Sequence, residues 1–195
     1  SGDMNSGYMI TNTNVEKLSI PVTKKWVGKA GDSATVKLLA DGSVKETITL
    51  NAAGNWNHTF VNLPKYDAND GHEIVYTLDE TKVNGYTTGI SGTAMTGFTI
   101  TNTITGKVSV PVTKKWIGKP ASSAKIELYA DGVKKDSITL NEENHWQHTF
   151  ANLDKYKNGT EIKYTVKEEA IANYKTVVSG DMNSGYMITN TNVEK

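Results

Sequence analysis

Apolar and polar side chains alternate along most of the chain. Leu18, Ile20, Val22 and Trp26 fall on even positions, with Ser19, Pro21, Thr23 and Lys25 between them. That period of two marks a strand with one face on a core, because successive side chains point to opposite sides of a sheet. The first half of the chain reads as six such runs: LSIPVTKKW (18–26), ATVKLLAD (34–41), VKETITLN (44–51), NWNHTFVNL (55–63), HEIVYTLDE (72–80) and GFTITNTI (97–104). Each is short and bounded by Gly, Asn, Asp or Pro, which is sandwich-like spacing, and no helix of useful length is predicted. Asp41-Gly42 and Asp131-Gly132 lie between alternating runs and predict tight hairpin turns with positive φ. Pro21 and Pro111 predict a local unpaired edge or a bulge, since proline cannot donate to a ladder.

The pattern is written twice. PVTKKW occurs at 21–26 and 111–116, and LLADGSVKETITLN (38–51) returns as LYADGVKKDSITLN (128–141). After the Tyr66/Tyr156 pair the second copy is two residues shorter, in a loop, where length changes cost little. The copies are therefore read as 18–107 and 108–195. Residues 1–17, SGDMNSGYMITNTNVEK, recur letter for letter at 179–195 and align with 91–107. They predict the last strand of a preceding repeat, and hence a piece of a longer tandem array.

Composition narrows the class. Twenty-one basic and 21 acidic side chains leave a formal net charge of zero, which argues against nucleic acid or an anionic membrane as the main partner. No apolar run approaches the roughly 18–20 residues of a spanning helix. Cysteine is absent, so disulfides, thiolate nucleophiles and Cys-based zinc sites are excluded together. A soluble, exported, all-β chain is the expectation.

Parity singles out three polar residues in each copy. Lys24 shares the core face of Leu18, Ile20, Val22 and Trp26, and Lys114 that of Val108, Val110, Val112 and Trp116. Ile74, Tyr76 and Leu78 lead to Glu80, and Ile162, Tyr164 and Val166 to Glu168. Phe98 and Ile100 lead to Asn102, and Tyr186 and Ile188 to Asn190. An unpaired ammonium or carboxylate in a core costs several kcal/mol. One reading is a structural ion pair with an asparagine beside it. The other is chemical: burial favours the neutral form of both amine and acid, a neutral amine attacks a carboxamide carbon, and the protonated acid polarises the carbonyl and relays protons until ammonia leaves. At this level both remain open.

Five motifs in the same order, twice, resemble the CnaB-type (collagen-adhesin B-repeat) domains of Gram-positive surface proteins: VTKKW, the LYADG hairpin, NW-x-x-TF followed by NLPKYD, YTVKE and ITNT. The likeness covers both copies and the leading segment. It implies two tandem inverse immunoglobulin-like β-sandwiches, each with a spontaneous isopeptide bond, Lys24 to Asn102 through Glu80 and Lys114 to Asn190 through Glu168. Copy one carries YTLDE in place of YTVKE, with Glu80 retained. The implied function is that of stalk or spacer repeats projecting a ligand-binding region from a bacterial cell wall, with self-modification in a single turnover and no enzyme activity. The alternative is a module whose loops bind a host protein or glycan directly. Expected partners are neighbouring repeats of the same chain and, through another domain, a host extracellular protein. Neither nucleic acid nor membrane insertion is expected, and no cofactor.

Other candidates are weaker. Asn12 is an acceptor without its own lysine, expected to stay a free amide while its segment packs on an edge or against a neighbouring molecule in a crystal; replacement of the last strand of another molecule's second copy is the alternative. His145 and His148 are expected on opposite faces of one strand, unable to share a metal. His58 and His148 are expected to be packed or rim residues. Asp67, Asn69 and Asp70 read as a solvated acidic loop before a calcium site, and the four Trp as core residues before sugar platforms.

Overall fold

A computed structural model describes all 195 residues. It divides into two compact units, Ser1–Ile104 and Thr105–Lys195.

The first unit opens with two short strands, β1 (Gly2–Asp3) and β2 (Gly7–Tyr8), paired only with each other. Domain 1 proper follows as β3 (Lys17–Val27), β4 (Ser33–Ala40), β5 (Ser43–Asn51), β6 (Asn57–Pro64), β7 (Tyr76–Glu80), β8 (Tyr86–Thr93) and β9 (Gly97–Ile104). They form a four-stranded sheet in the order β6-β3-β9-β8 and a three-stranded sheet in the order β5-β4-β7. Ile20, Val22, Phe60, Leu63 and Ile100 of the first meet Val36, Leu38, Leu50 and Tyr76 of the second in one buried cluster. This is the all-β sandwich that the alternation predicts.

Domain 2 repeats the design with β10 (Lys107–Ile117), β11 (Ala124–Ala130), β12 (Val133–Leu140), β13 (Gln147–Asp154), β14 (Tyr156–Lys157), β15 (Thr160–Glu161), β16 (Tyr164–Glu168), β17 (Tyr174–Asp181) and β18 (Gly185–Asn192). Its larger sheet runs β13-β10-β18-β17 and its smaller one β12-β11-β16, with β14 and β15 as a separate short ladder.

In each domain the first strand pairs in parallel with the last, β3 with β9 and β10 with β18, while the other pairings are antiparallel. Pro21 pairs with Thr59 of β6 but lies one residue outside the parallel ladder, which begins at Val22 opposite Phe98. Its missing N–H therefore falls at a local edge, beside a register shift between Leu18 and Ile20. Gly97 is required there: a Cβ would lie 2.8 Å from Pro21 Cγ, and φ is +89°. The Asp-Gly turns form as predicted, with φ of 50° and 83° at Asp41 and Gly42.

Three expectations need correction. Each domain has a seventh strand, β8 or β17, which carries no apolar alternation because it is an edge strand with nearly every residue exposed. HEIVYTLDE becomes a strand only at Tyr76, since the preceding residues wrap the Asp41 turn, with Val75 N–H donating to Asp41 Oδ1 at 3.0 Å. The leading segment joins neither sheet before Lys17, the first residue of β3: residues 1–16 are exposed, Asn12 among them, and they form no strand of either sandwich.

Candidate functional site: an amine, a carboxylate and a carboxamide between two sheets

Lys24 projects from β3 and Asn102 from the adjacent β9, two residues apart in register, since Lys24 stands opposite Ile100 and Trp26 opposite Asn102. Glu80 ends β7 in the other sheet, opposite Val36 of β4. The side chains of Lys24 and Glu80 are wholly buried, and Asn102 is likewise inaccessible. Lys24 Nζ lies 3.2 Å from Glu80 Oε2, and Asn102 Nδ2 donates to Glu80 Oε1 at 2.8 Å. The carboxylate thus straddles amine and amide. Lys114, Glu168 and Asn190 repeat the arrangement, with Lys114 Nζ 3.6 Å from Glu168 Oε2 and Asn190 Nδ2 donating to Glu168 Oε1 at 2.7 Å. In this copy Lys114 Nζ also donates to Asn190 Oδ1. All six parity-selected residues are therefore brought together in two sets of three.

The surroundings are dry. Lys24 Nζ sits 4.1 Å from the centre of the Trp26 ring, and Lys114 Nζ 3.9 Å from that of Trp116. Trp26 is held edge-on by Trp56 and Tyr86 at 5.3 and 5.0 Å, and Trp116 by Trp146 and Tyr174 at 5.3 and 5.1 Å. Desolvation pulls both lysines below the ordinary 10.5, with the charge of Glu80 or Glu168 pulling the other way. In domain 1, Lys24 Nζ and Glu80 Oε2 face each other at 3.2 Å without a hydrogen bond to any other group, and Asn102 Oδ1 is buried without a partner. A settled buried ion pair satisfies its remaining polar capacity with further hydrogen bonds. This one does not.

The arrangement departs from the sequence expectation in one respect. Glu80 was expected to polarise the asparagine carbonyl, but its Oε1 faces the amide nitrogen. The reason is a residue that parity overlooked. Thr88 Oγ1 accepts from Asn102 Nδ2 at 3.1 Å and donates to Glu80 Oε1 at 3.0 Å. Thr176 does the same in domain 2, at 3.0 and 3.2 Å. Two acceptors draw the two-donor end of the amide. Each threonine is the direct cross-strand neighbour of its asparagine, Thr88 of Asn102 and Thr176 of Asn190. Its recurrence at the matching place in both copies was the available signal.

The remaining candidates fall elsewhere. His145 is not in a strand with His148: it and Trp146 form a turn, both with φ of 56°, so the histidines are separated by backbone shape and not by strand parity. His58 and His148 are half-buried and pack edge-on against Phe60 and Phe150 at 4.9 and 4.7 Å. Asp67, Asp70 and His72 could gather around one ion. His72 is engaged by Asp70 and, at 2.7 Å, by Asp41, which raise it to about 9. Asn69 contributes its backbone N–H to Asp67 at 2.8 Å.

Two β-sandwich units with the same buried lysine, glutamate and asparagine define a tandem domain class. Comparison with known proteins identifies it: the Cna protein B-type domain family matches residues 20–103 and 110–191, and the chain belongs to that family, with two such domains. A collagen adhesin of Staphylococcus aureus is 37% identical over 205 aligned positions, covering 97% of this chain and 17% of that protein. The chain thus spans about a sixth of that relative's length. Among solved structures, a single B repeat unit of the S. aureus collagen-binding surface protein is 37% identical, with 92% of this chain and 100% of that one covered and a TM-score of 0.43. Two B repeat units of the same protein give 38%, 90%, 50% and 0.42.

Proposed function

We propose that each domain joins its lysine to its asparagine through an isopeptide bond and thereby serves as a load-bearing spacer in a surface protein. The observation that carries this reading is the convergence, twice, of a desolvated amine, a carboxylate and a carboxamide in a dry core. Glu80 Oε2 takes a proton from Lys24 Nζ, the neutral amine adds to Asn102 Cγ, and Oε1 returns the proton to Nδ2. The Cγ–Nδ2 bond then breaks and ammonia leaves. Nζ gives up two protons in all: one departs on ammonia, and the other remains on Glu80 until lost to solvent. Lys114, Glu168 and Asn190 act alike. The protein turns over nothing else, so it is structural and not an enzyme.

Mechanical consequence follows from topology. The first and last strands are parallel neighbours, so tension enters the start of β3 and leaves the end of β9. A Lys24–Asn102 bond carries that load from one strand to the other and leaves residues 25–101 unstressed. Each bond closes a loop of roughly 80 residues, adding roughly 4–5 kcal/mol of stability by loop entropy. Such spacers, outside the cell and anchored to its wall, would hold a ligand-binding region away from the surface. The collagen adhesin relative supports that setting.

Intact mass of the folded chain tests the reading. One ammonia per domain should be missing, and Glu80→Ala or Glu168→Ala should restore it in that domain alone. A wild-type chain of unmodified mass would overturn it.

A further inference from the structure

We propose that Thr88 and Thr176 are positioning residues for the linking step: each hydroxyl pins the asparagine amide so that its carbon faces the lysine and its nitrogen faces the acid. The inference rests on the linking reading above. Parity did not find these residues, because they sit on strands with almost no buried face.

A carboxamide can turn about Cβ–Cγ and present either end to its neighbours. Asn102 Nδ2 has two N–H groups to give, one taken by Glu80 Oε1 and the other by Thr88 Oγ1. The hydroxyl proton goes to the same Glu80 oxygen, closing a three-membered ring of hydrogen bonds. Turning the amide over would set Asn102 Oδ1 against a carboxylate oxygen, so the ring selects one orientation. In that orientation the leaving nitrogen rests on Oε1, ready to be protonated, while Oε2 stays free for the amine. The threonine neither gives nor keeps a proton in the balanced reaction. It acts only through Asn102 and Glu80.

The second role is exclusion. Thr88 and Thr176 are exposed as residues, yet their hydroxyls turn inward to the buried set. They stand where an edge strand separates the site from solvent. A water there would compete for the amide nitrogen and lower the cost of charge on the lysine.

The two domains of one chain provide an internal control. The full chain would be made by cell-free synthesis, quenched into denaturing acid at intervals, and followed by intact mass with peptide mapping to assign the domain. Thr176→Val keeps the side chain's shape and removes the hydroxyl. It should slow ammonia loss in domain 2 by roughly tenfold, the factor one hydrogen bond carries, while domain 1 proceeds at its wild-type rate. Thr176→Ser keeps the hydroxyl and should return the rate to within a few-fold of wild type. The lysine's titration should still set the pH dependence of the slowed reaction, with a lower plateau. Equal slowing by Val and Ser would indicate packing alone and overturn the assignment, as would an unslowed Val variant. If wild type itself never loses ammonia, the linking reading falls first, and that outcome is distinct from both.

Discussion

The chain contains the same 17 residues twice, at 1–17 and at 179–195, in different structures. What survives in both is the turn. Asp3 Oδ1 accepts from the backbone N–H of Asn5 and Ser6 at 2.9 and 2.8 Å and from Ser6 Oγ at 2.8 Å. Asp181 makes the same three contacts with Asn183 and Ser184, at 2.9, 2.7 and 2.9 Å. The two residue pairs flanking the turn survive as well, Gly2 with Tyr8 and Asp3 with Gly7 as Gly180 with Tyr186 and Asp181 with Gly185, but the strand beyond them does not. Ile188 and Asn190 are fully buried in β18, whereas Ile10 is 88% exposed and Asn12 lies open in irregular chain. A turn is written in a few adjacent residues. A strand is completed by its neighbours.

The leading segment cannot find those neighbours within domain 1. To stand where β9 stands, Asn12 would have to lie level with Trp26, as Asn102 does. Yet β3 starts at Lys17, so five residues spanning at most roughly 18 Å would have to bridge about 30 Å of extended strand. Parallel neighbours need a crossover of about a dozen residues or more. The place is in any case filled by 97–104.

The largest separation between the two segments is expected at their asparagines. Asn190→Ala removes the acceptor, so domain 2 should lose no ammonia, and it should cost roughly 4–5 kcal/mol, read by calorimetry. Asn12→Ala should change neither mass loss nor stability beyond about 0.5 kcal/mol. A covalent dimer of the wild-type chain on denaturing gels, absent from the Asn12→Ala variant, would break the comparison.

Next come the isoleucines. Ile188→Ala removes a fully buried side chain between two sheets and should cost about 2–5 kcal/mol by denaturant unfolding. Ile10→Ala should fall within about 0.5 kcal/mol of wild type. Acidity sharpens the contrast in another way. Because desolvation holds Lys114 below 10.5, the neutral amine becomes abundant at a lower pH than for a free lysine. The linking rate of domain 2 should therefore rise with pH and level off before 10.5, while Asn12 stays unlinked throughout. A time course of ammonia loss at several pH values checks this, and a rate still climbing beyond 10.5 would contradict it.

Much of this was legible because a buried face leaves a period of two. Lys24 was separable from Lys25, and Lys114 from Lys115, by parity alone, and the same test reached both glutamates and both asparagines. It failed where no face is buried. YTTGISGT and YKTVVSGD pair along their whole length, but with nearly every side chain in solvent they leave no alternation to read. Thr88 and Thr176 were lost with them, since what matters about each is the residue it faces across the ladder. Parity does not hold at His145 either, where positive φ turns the chain before the strand begins. The orientation of the asparagine amide follows from the threonine, so it could not be read before the register was known.

The smallest effect should be the one the two segments share. Hydrogen bonds from Ser6 and Asn5 hold Asp3 below its ordinary 3.8, and those from Ser184 and Asn183 do the same for Asp181. A carboxylate depressed in the folded state stabilises above its unfolded value, and that contribution is lost as pH falls below 3.8 through the lowered value. Both turns should therefore loosen together on acidification, seen as parallel shifts of the Ser6 and Ser184 amide resonances. Asp3→Ala should erase the first shift with no change in the thermal midpoint of either domain. Asp181→Ala should erase the second with a small fall for domain 2, less than that of Ile188→Ala, because there the turn joins two strands already fixed by their sheet. If Asp181→Ala released β18 as fully as residues 1–17 are free, the turn and not the neighbouring strands would be holding it in place.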